Sequence, residues 1–319
     1  MAVDSAIELH SVTKTFGATR AVEDLSLVVP AGSLYGFIGP NGSGKTTTLR
    51  IIMRIFLPDS GDLVVLGDRS TESADDRVAY LPEERGLYKQ MKVRDVLRFY
   101  SRLKGHSPST AEIDGWLERM QLPGVADKKV AALSKGMSQK VQFIATVLAK
   151  PKLVLLDEPF SGLDPINALV LRDVVLELKQ NGTTVVFSTH DMSVAEELCD
   201  FIFMIYQGRK VLDGSLGSIR QKYGTDTLRV RCAARADVLR ELPGVIAVND
   251  SGNFQELRLR PDADPQVILH SLIKCGAIEH FELAHPSLRD IFIRIASPDK
   301  EAMAKEPSPT KPVLKEAAV

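Results

Sequence analysis

The chain has 319 residues, 44% of them hydrophobic and 25% charged, with a formal net charge of −1. That length allows about two domains with ordinary buried cores, and the near-neutral balance speaks against nucleic acid as the main partner, which usually demands a basic excess. The three cysteines, Cys199, Cys232 and Cys275, lie far apart and form no CxxC pair, so neither a zinc site nor a disulfide framework is expected.

The opening MAVDSAIELHSV carries an early Asp and no apolar h-region, so it does not read as a signal peptide. Apolar runs such as FIFMIY at 201–206 fall far short of the ~20 residues of a membrane span, and the chain by itself is expected to be soluble.

Leu34 to Ile38 is a short apolar, aromatic run and reads as a buried strand. The stretch GPNGSGKTT, from Gly39 to Thr47, cannot extend it. Thr46 to Phe56 then carries Leu49, Ile52, Met53 and Phe56, a spacing that predicts a helix. Strand, Gly-rich loop and helix are the context that a GxxxxGK[ST] phosphate-binding match requires. Gly39, Gly42 and Gly44 let backbone N–H groups turn inward around phosphate oxygens, and the helix N-terminus adds its positive dipole end. Lys45 is placed to reach the β- and γ-phosphates, and Thr46 to offer a hydroxyl to Mg²⁺. The whole run Gly39, Pro40, Asn41, Gly42, Ser43, Gly44, Lys45, Thr46 and Thr47 is therefore read as binding a nucleoside triphosphate.

KVRDVLRFYSRLKG and TAEIDGWLERMQL read as helices broken at His106-Ser107-Pro108. Next comes LSKGMSQK, Leu133 to Lys140. Ser134, Lys135 and Gly136 precede the amphipathic run QKVQFIATVLAK and form a second helix start suited to an anion. One phosphate loop already wraps one triphosphate. A second anion site makes sense if it meets a different nucleotide, as it does when each chain of a two-fold dimer covers its partner's ATP.

LVLLDEP at 153–159 is an apolar strand ending in two carboxylates. Asp157, at the strand tip, is placed to hold Mg²⁺. Glu158 can orient and deprotonate an attacking water. Asp164 and Pro165 suit a helix start, and Asn181-Gly182 its stop. TTVVFST follows as a β-branched strand with His190 at its end, where an α/β sheet gathers ligand groups. A contact from His190 to the γ-phosphate is expected.

After Gly214 the composition changes. TLRVRC alternates like a strand, ARADVLREL reads as a short helix, and GVIAVND and QELRLRP read as strands around Ser251-Gly252-Asn253. DPQVILHSLIKCG is a helix capped by Asp264, IEHFELA a strand and SLRDIFIRIA a final helix. The order β-α-β-β-α-β plus a helix predicts a small ferredoxin-like α+β domain. Residues 297–319, with Pro298, Pro307, Pro309 and Pro312 among Lys, Glu and Ala, read as a disordered tail.

LSKGMSQK resembles the LSGGQ-type signature of the ABC ATPases, and the order of motifs over residues 7–215 resembles that family throughout. The resemblance implies an α/β P-loop core, an antiparallel β subdomain and a helical subdomain at about 90–150. It places Phe16, in TKTFG, where an aromatic stacks on adenine. YLPEERGLY falls at the Q-loop, with Glu83 where the family usually has Gln, as a ligand for Mg²⁺. SGLD, with Asp164, matches the D-loop, and STHD holds the switch histidine. Ser134 and Gly136, with Gln139 in the same segment, would meet the opposite subunit's ATP. Lys135 replaces the first of the two usual glycines. The ending PSLRDIFIRI resembles accessory domains on exporter-type subunits.

The expected domains are a nucleotide-binding domain at 1–215, an accessory domain at 216–296 and the tail. The expected function is an ATP-hydrolysing subunit of an ABC transporter, with ATP and Mg²⁺ as cofactors. Such a subunit pairs as a homodimer or with a homologous one. It drives a separate membrane permease, an exporter by resemblance, from the cytoplasmic face of the membrane. The rival reading is a soluble ABC-type ATPase acting on nucleic acid or ribosomes. One P-loop, no heptad insert and no basic excess count against it. A non-catalytic protein with a decayed site is weaker still, because Lys45, Asp157, Glu158 and His190 are all intact.

Overall fold

The structure, a computed structural model, describes residues 4–69, 76–84, 86–223, 227–250, 252 and 254–296. The expected tail at 297–319, and Ser251 and Asn253 of the expected turn, lie outside the described residues. The chain divides into two compact units between Leu216 and Gly217.

The first unit runs β1 (Ser5–Phe16), β2 (Thr19–Pro30), β3 (Leu34–Ile38), α1 (Lys45–Ile52), β4 (Ser60–Val65) and β5 (Val78–Leu81). It continues through α2 (Val93–Leu103), α3 (Thr110–Arg119), a 3₁₀ turn at Val130–Ala132, α4 (Lys135–Val147), β6 (Leu153–Asp157) and α5 (Pro165–Gln180). It closes with β7 (Thr184–Thr189), α6 (Met192–Leu198), β8 (Phe201–Tyr206), β9 (Arg209–Ser215) and the start of α7 (Leu216–Tyr223).

Two sheets organise it. One is antiparallel, in the order β2-β1-β4; the other has six strands in the order β5-β6-β7-β3-β8-β9. The first five strands of the second sheet are parallel, and β9 pairs antiparallel with β8. β3, β6 and β7 are buried along their whole length, which is why they read as continuous apolar runs rather than as alternation. Ile7, Leu9 and Leu25 of the small sheet share one core with Tyr35, Phe37 and Phe203 of the large one and with Leu49, Ile51 and Ile52 of α1.

The apolar spacing predicts a helix as far as Phe56, but α1 ends at Ile52. Arg54 adopts φ 58°, its N–H donates to the Ile51 carbonyl, and the Ile55 N–H donates to the Arg50 carbonyl. That pair of bonds is a Schellman stop with an arginine where glycine is usual. The Arg54 guanidinium compensates by donating to the Asp68 carbonyl at 3.0 Å. Phe56 still packs against the core from outside the helix, so the apolar pattern outruns the helix that it marks.

The second unit adds β10 (Thr227–Cys232), α8 (Ala236–Arg240), β11 (Val245–Asp250), β12 (Gln255–Leu259), α9 (Pro265–Cys275), β13 (Ile278–Ala284) and α10 (Leu288–Ala296). Its sheet is antiparallel in the order β11-β12-β10-β13, the arrangement of a ferredoxin-like domain. Leu228, Val230, Leu257 and Leu259 face Leu239 of α8 and Ile268 and Leu272 of α9. Among the described residues no helix is long and apolar enough to cross a membrane.

Candidate active site

Three adjacent strands, β6, β7 and β3, deliver their carboxyl ends to one place, as ligand sites in α/β sheets do. The Gly-rich loop leaves β3 and enters α1. Gly44 caps that helix at φ 111°, and a Cβ there would stand 2.4 Å from the Ala21 carbonyl oxygen. A Cβ on Gly39 would stand 2.2 Å from the Ile205 carbonyl oxygen. At Gly39 and Gly44 the loop therefore passes against β8 and β2 with room for backbone alone. Lys45, 5% exposed, reaches back across it and donates from Nζ to the carbonyls of Gly39 at 2.8 Å and Pro40 at 3.2 Å.

The two carboxylates after β6 differ in their surroundings. Asp157 Oδ1 accepts from the Thr46 hydroxyl at 3.1 Å and the Ser188 hydroxyl at 2.6 Å, and Oδ2 accepts from the Tyr80 hydroxyl at 3.2 Å. Burial, then the Asp157 charge, pushes the Tyr80 phenol up to about 12, so it keeps the proton that it donates. Glu158 sits in the left-handed region at φ 49°, a conformation that costs a non-glycine residue about 1–3 kcal/mol and marks functional sites when it persists. Its N–H donates to the Ser188 hydroxyl at 2.9 Å. Its Oε2 lies 3.1 Å from His190 Nδ1 and its Oε1 3.6 Å from Lys45 Nζ.

Thr46, Thr47, Asn41, Gly42 and Lys45 of the loop line a cavity of about 470 Å³ together with Glu83 and Glu158. Phe16 does not line it. It lies opposite Thr19 in the β1–β2 pairing, beside the wall that Thr19 and Arg20 form, 44% exposed and edge-on to Phe56. Ser134 and Gly136 are absent from the lining as well. Ser134 is the N-cap of α4, its hydroxyl accepting from the Met137 N–H. Gln139 turns toward the loop after Glu158 and donates to the Pro159 carbonyl at 2.6 Å. Asp164 caps α5 by accepting from the Asn167 N–H, a bond that holds its carboxyl below the usual range.

The comparisons with known proteins bear on this geometry. The family described as "ABC transporter" matches residues 22–161, and "ATP-binding protein DrrA1-3-like, C-terminal domain" matches residues 214–296. An uncharacterised ABC transporter ATP-binding protein of Bacillus subtilis is 39% identical over 289 residues, 90% of this chain and 97% of the relative. The chain belongs to the ABC transporter ATP-binding proteins.

Other members of the family extend the comparison. The daunorubicin/doxorubicin resistance ATP-binding protein DrrA of Streptomyces peucetius is 31% identical over 91% of this chain and 92% of its own length. The Nod factor export ATP-binding protein I of Paraburkholderia xenovorans is 30% identical over 92% and 97%. The solved structure of an ATP-binding subunit of an ABC transporter superposes with a TM-score of 0.64 at 32% identity, covering 69% of this chain and 94% of that one. As an ABC ATP-binding subunit, the chain binds and hydrolyses ATP.

The donor set fits a hard divalent cation arriving with a nucleotide. Thr46, Asp157 and Glu83 offer only oxygen, and the buried Oε1 of Glu158 and Oγ of Ser43 have no hydrogen-bond partner among the described residues. No group of three or more His, Cys, Asp or Glu gathers into a metal cage among the described residues. Mg²⁺ needs no such cage, since it takes one or two carboxylates and completes its shell with phosphate oxygens and water.

Sequence reading passed over three contributors. Tyr80 and Ser188 hold Asp157 from the neighbouring strands β5 and β7. Gln207-Gly208, both at positive φ, make the two-residue turn between β8 and β9 and line the cavity. The glycine after an apolar strand was the available signal for that turn.

Proposed function

We propose that two such subunits, identical or homologous, close on two Mg·ATP and that hydrolysis drives a separate membrane permease in the export direction. The observation that carries this reading is the convergence of Lys45, Thr46, Asp157, Glu158 and His190 at the ends of three adjacent strands, while Ser134 and Gly136 stay outside that cavity. The phosphates lie along 39–47, with Lys45 at the β- and γ-phosphates and adenine beside Phe16. Glu158 takes a proton from the attacking water as its oxygen bonds to the γ-phosphorus, and the β–γ bridging bond breaks to release ADP. His190, 3.1 Å from that carboxylate, orients it and contacts the γ-phosphate. Thr46, Asp157 and Glu83 would hold Mg²⁺, which when bound offsets charge on the phosphate oxygens.

Ser134 and Gly136, with Gln139 behind them and Asp164 at the D-loop, serve the partner's nucleotide. The subunit sits peripherally at the cytoplasmic face of the membrane, bound to its permease. Residues 1–215 form the nucleotide-binding domain, and 216–296 form an accessory domain supporting the dimer. The export direction is supported by relatives named for drug resistance and Nod factor export. A role on nucleic acid or ribosomes is not favoured: the Bacillus subtilis relative is named an ABC transporter ATP-binding protein, and the net charge is −1.

Gly136→Asp tests the trans contact. Among the described residues a Cβ at Gly136 meets nothing nearer than 3.7 Å, and an acidic side chain in the first turn of α4 agrees with the helix dipole, so the fold should persist. The new charge would face the partner's phosphates. Sedimentation in a Glu158→Gln background is expected to show dimers on adding Mg·ATP, and monomers once Gly136→Asp is added. Undiminished dimers in the double variant would contradict the trans assignment.

A further inference from the structure

The first two turns of α4 grip the segment that follows Glu158. Gln139 Nε2 donates to the Pro159 carbonyl at 2.6 Å and to the Ser161 carbonyl at 3.3 Å. Lys135 Nζ lies 3.1 Å from where a Cβ on Gly162 would stand. Lys140, 4% exposed, donates from Nζ to Asn167 Oδ1 at 2.6 Å. Asn167 passes the contact on, its Nδ2 donating to Asp164 Oδ2 and its backbone N–H to Asp164 Oδ1. The Ser161 N–H returns to the Glu158 carbonyl at 3.1 Å. Every few residues from 159 to 167 are thus tied to α4 or back to Glu158.

Lys140 is the unusual member. Burial pulls its pKa below the ordinary lysine range, with the Asp164 charge opposing that shift. Its hydrogen-bond acceptor is a neutral amide, an arrangement that costs more than an apolar side chain of similar size in the same slot. Such a group stabilises little and orients much. Glu158, strained at φ 49°, is a residue whose pose depends on its surroundings being held.

We infer that Lys140, acting through Asn167 and Asp164, is a positioning residue that fixes the 159–167 segment and so the pose in which Glu158 meets its water. The inference rests on Glu158 being the base. It also gives α4 a second role: the helix offered to a partner's nucleotide holds its own chain's D-loop.

The test is steady-state ATP hydrolysis and ATP-binding titration on the full chain carrying Lys140→Met, Asn167→Ala or both. A misplacement of the base by a fraction of an ångström predicts a kcat fall of roughly tenfold or more in each single variant, with the KM for ATP held within about twofold. Because the two side chains act as one unit, the double variant should lose no more than the worse single one. Losses that multiply in the double variant, a rise in KM at unchanged kcat, or a folded Asn167→Ala chain at normal kcat would each overturn the inference. Should Lys140→Met fail to fold, the half-buried Asn167→Ala decides alone. Glu158→Gln run in parallel separates the two claims. Normal turnover there removes the base assignment, whereas its loss beside normal Lys140 and Asn167 variants removes only the positioning role.

Discussion

Replacing Glu158 by Gln is expected to slow ATP hydrolysis by roughly 10²–10⁴-fold, the usual worth of a positioned general base. The amide has the same shape as the carboxylate, so the cavity and the contact with His190 survive. What goes is the proton acceptor. A negative charge 3.6 Å from Lys45 goes with it, which leaves that ammonium freer to meet phosphate. ATP affinity should therefore hold or rise while turnover collapses. Single-turnover phosphate release beside an equilibrium ATP titration reads both quantities. Turnover within tenfold of the parent chain would sink the assignment of Glu158.

The second large effect belongs to the loop backbone. Gly44→Ala puts a methyl 2.4 Å from the Ala21 carbonyl oxygen in a residue already at φ 111°. That oxygen belongs to the backbone of β2, which is tied into its sheet through β1, so neither side yields cheaply. Strain and overlap together are expected to cost about 3 kcal/mol or more and to abolish nucleotide binding. Gly42→Ala is the control. It too has positive φ, at 76°, but among the described residues nothing lies within 4 Å of its added Cβ, so only about 1–2 kcal/mol of backbone strain applies. Thermal unfolding of the two variants should rank them clearly, with Gly44→Ala far lower. Equal melting temperatures would mean that close approach to β2 is not what requires glycine at 44.

Much of this was legible in the chain because its signals are local. Leu34–Ile38, the glycines after it and the apolar residues of α1 announce strand, loop and helix within about twenty residues. TLRVRC alternates, with Leu228 and Val230 buried on one sheet face, and it and IEHFELA are both strands. The loss of α1 beyond Ile52 turned on Arg54 taking a left-handed turn, for which side-chain type gave no warning. The partners of Asp157 were hidden for a different reason. Tyr80 and Ser188 become its neighbours only once β5, β6 and β7 lie side by side, and that order is a property of the sheet rather than of any segment. The same holds for Lys140 and Asn167, whose 27-residue separation hides a direct bond.

This ATPase is expected to serve a membrane permease. Affinity purification of the tagged chain from detergent-solubilised native membranes, followed by mass spectrometry, tests it most directly. A polytopic membrane protein in stoichiometric amount, retained through washing, is expected. Recovery of the chain away from membranes, with ribosomal or DNA-repair proteins in place of that partner, would contradict it.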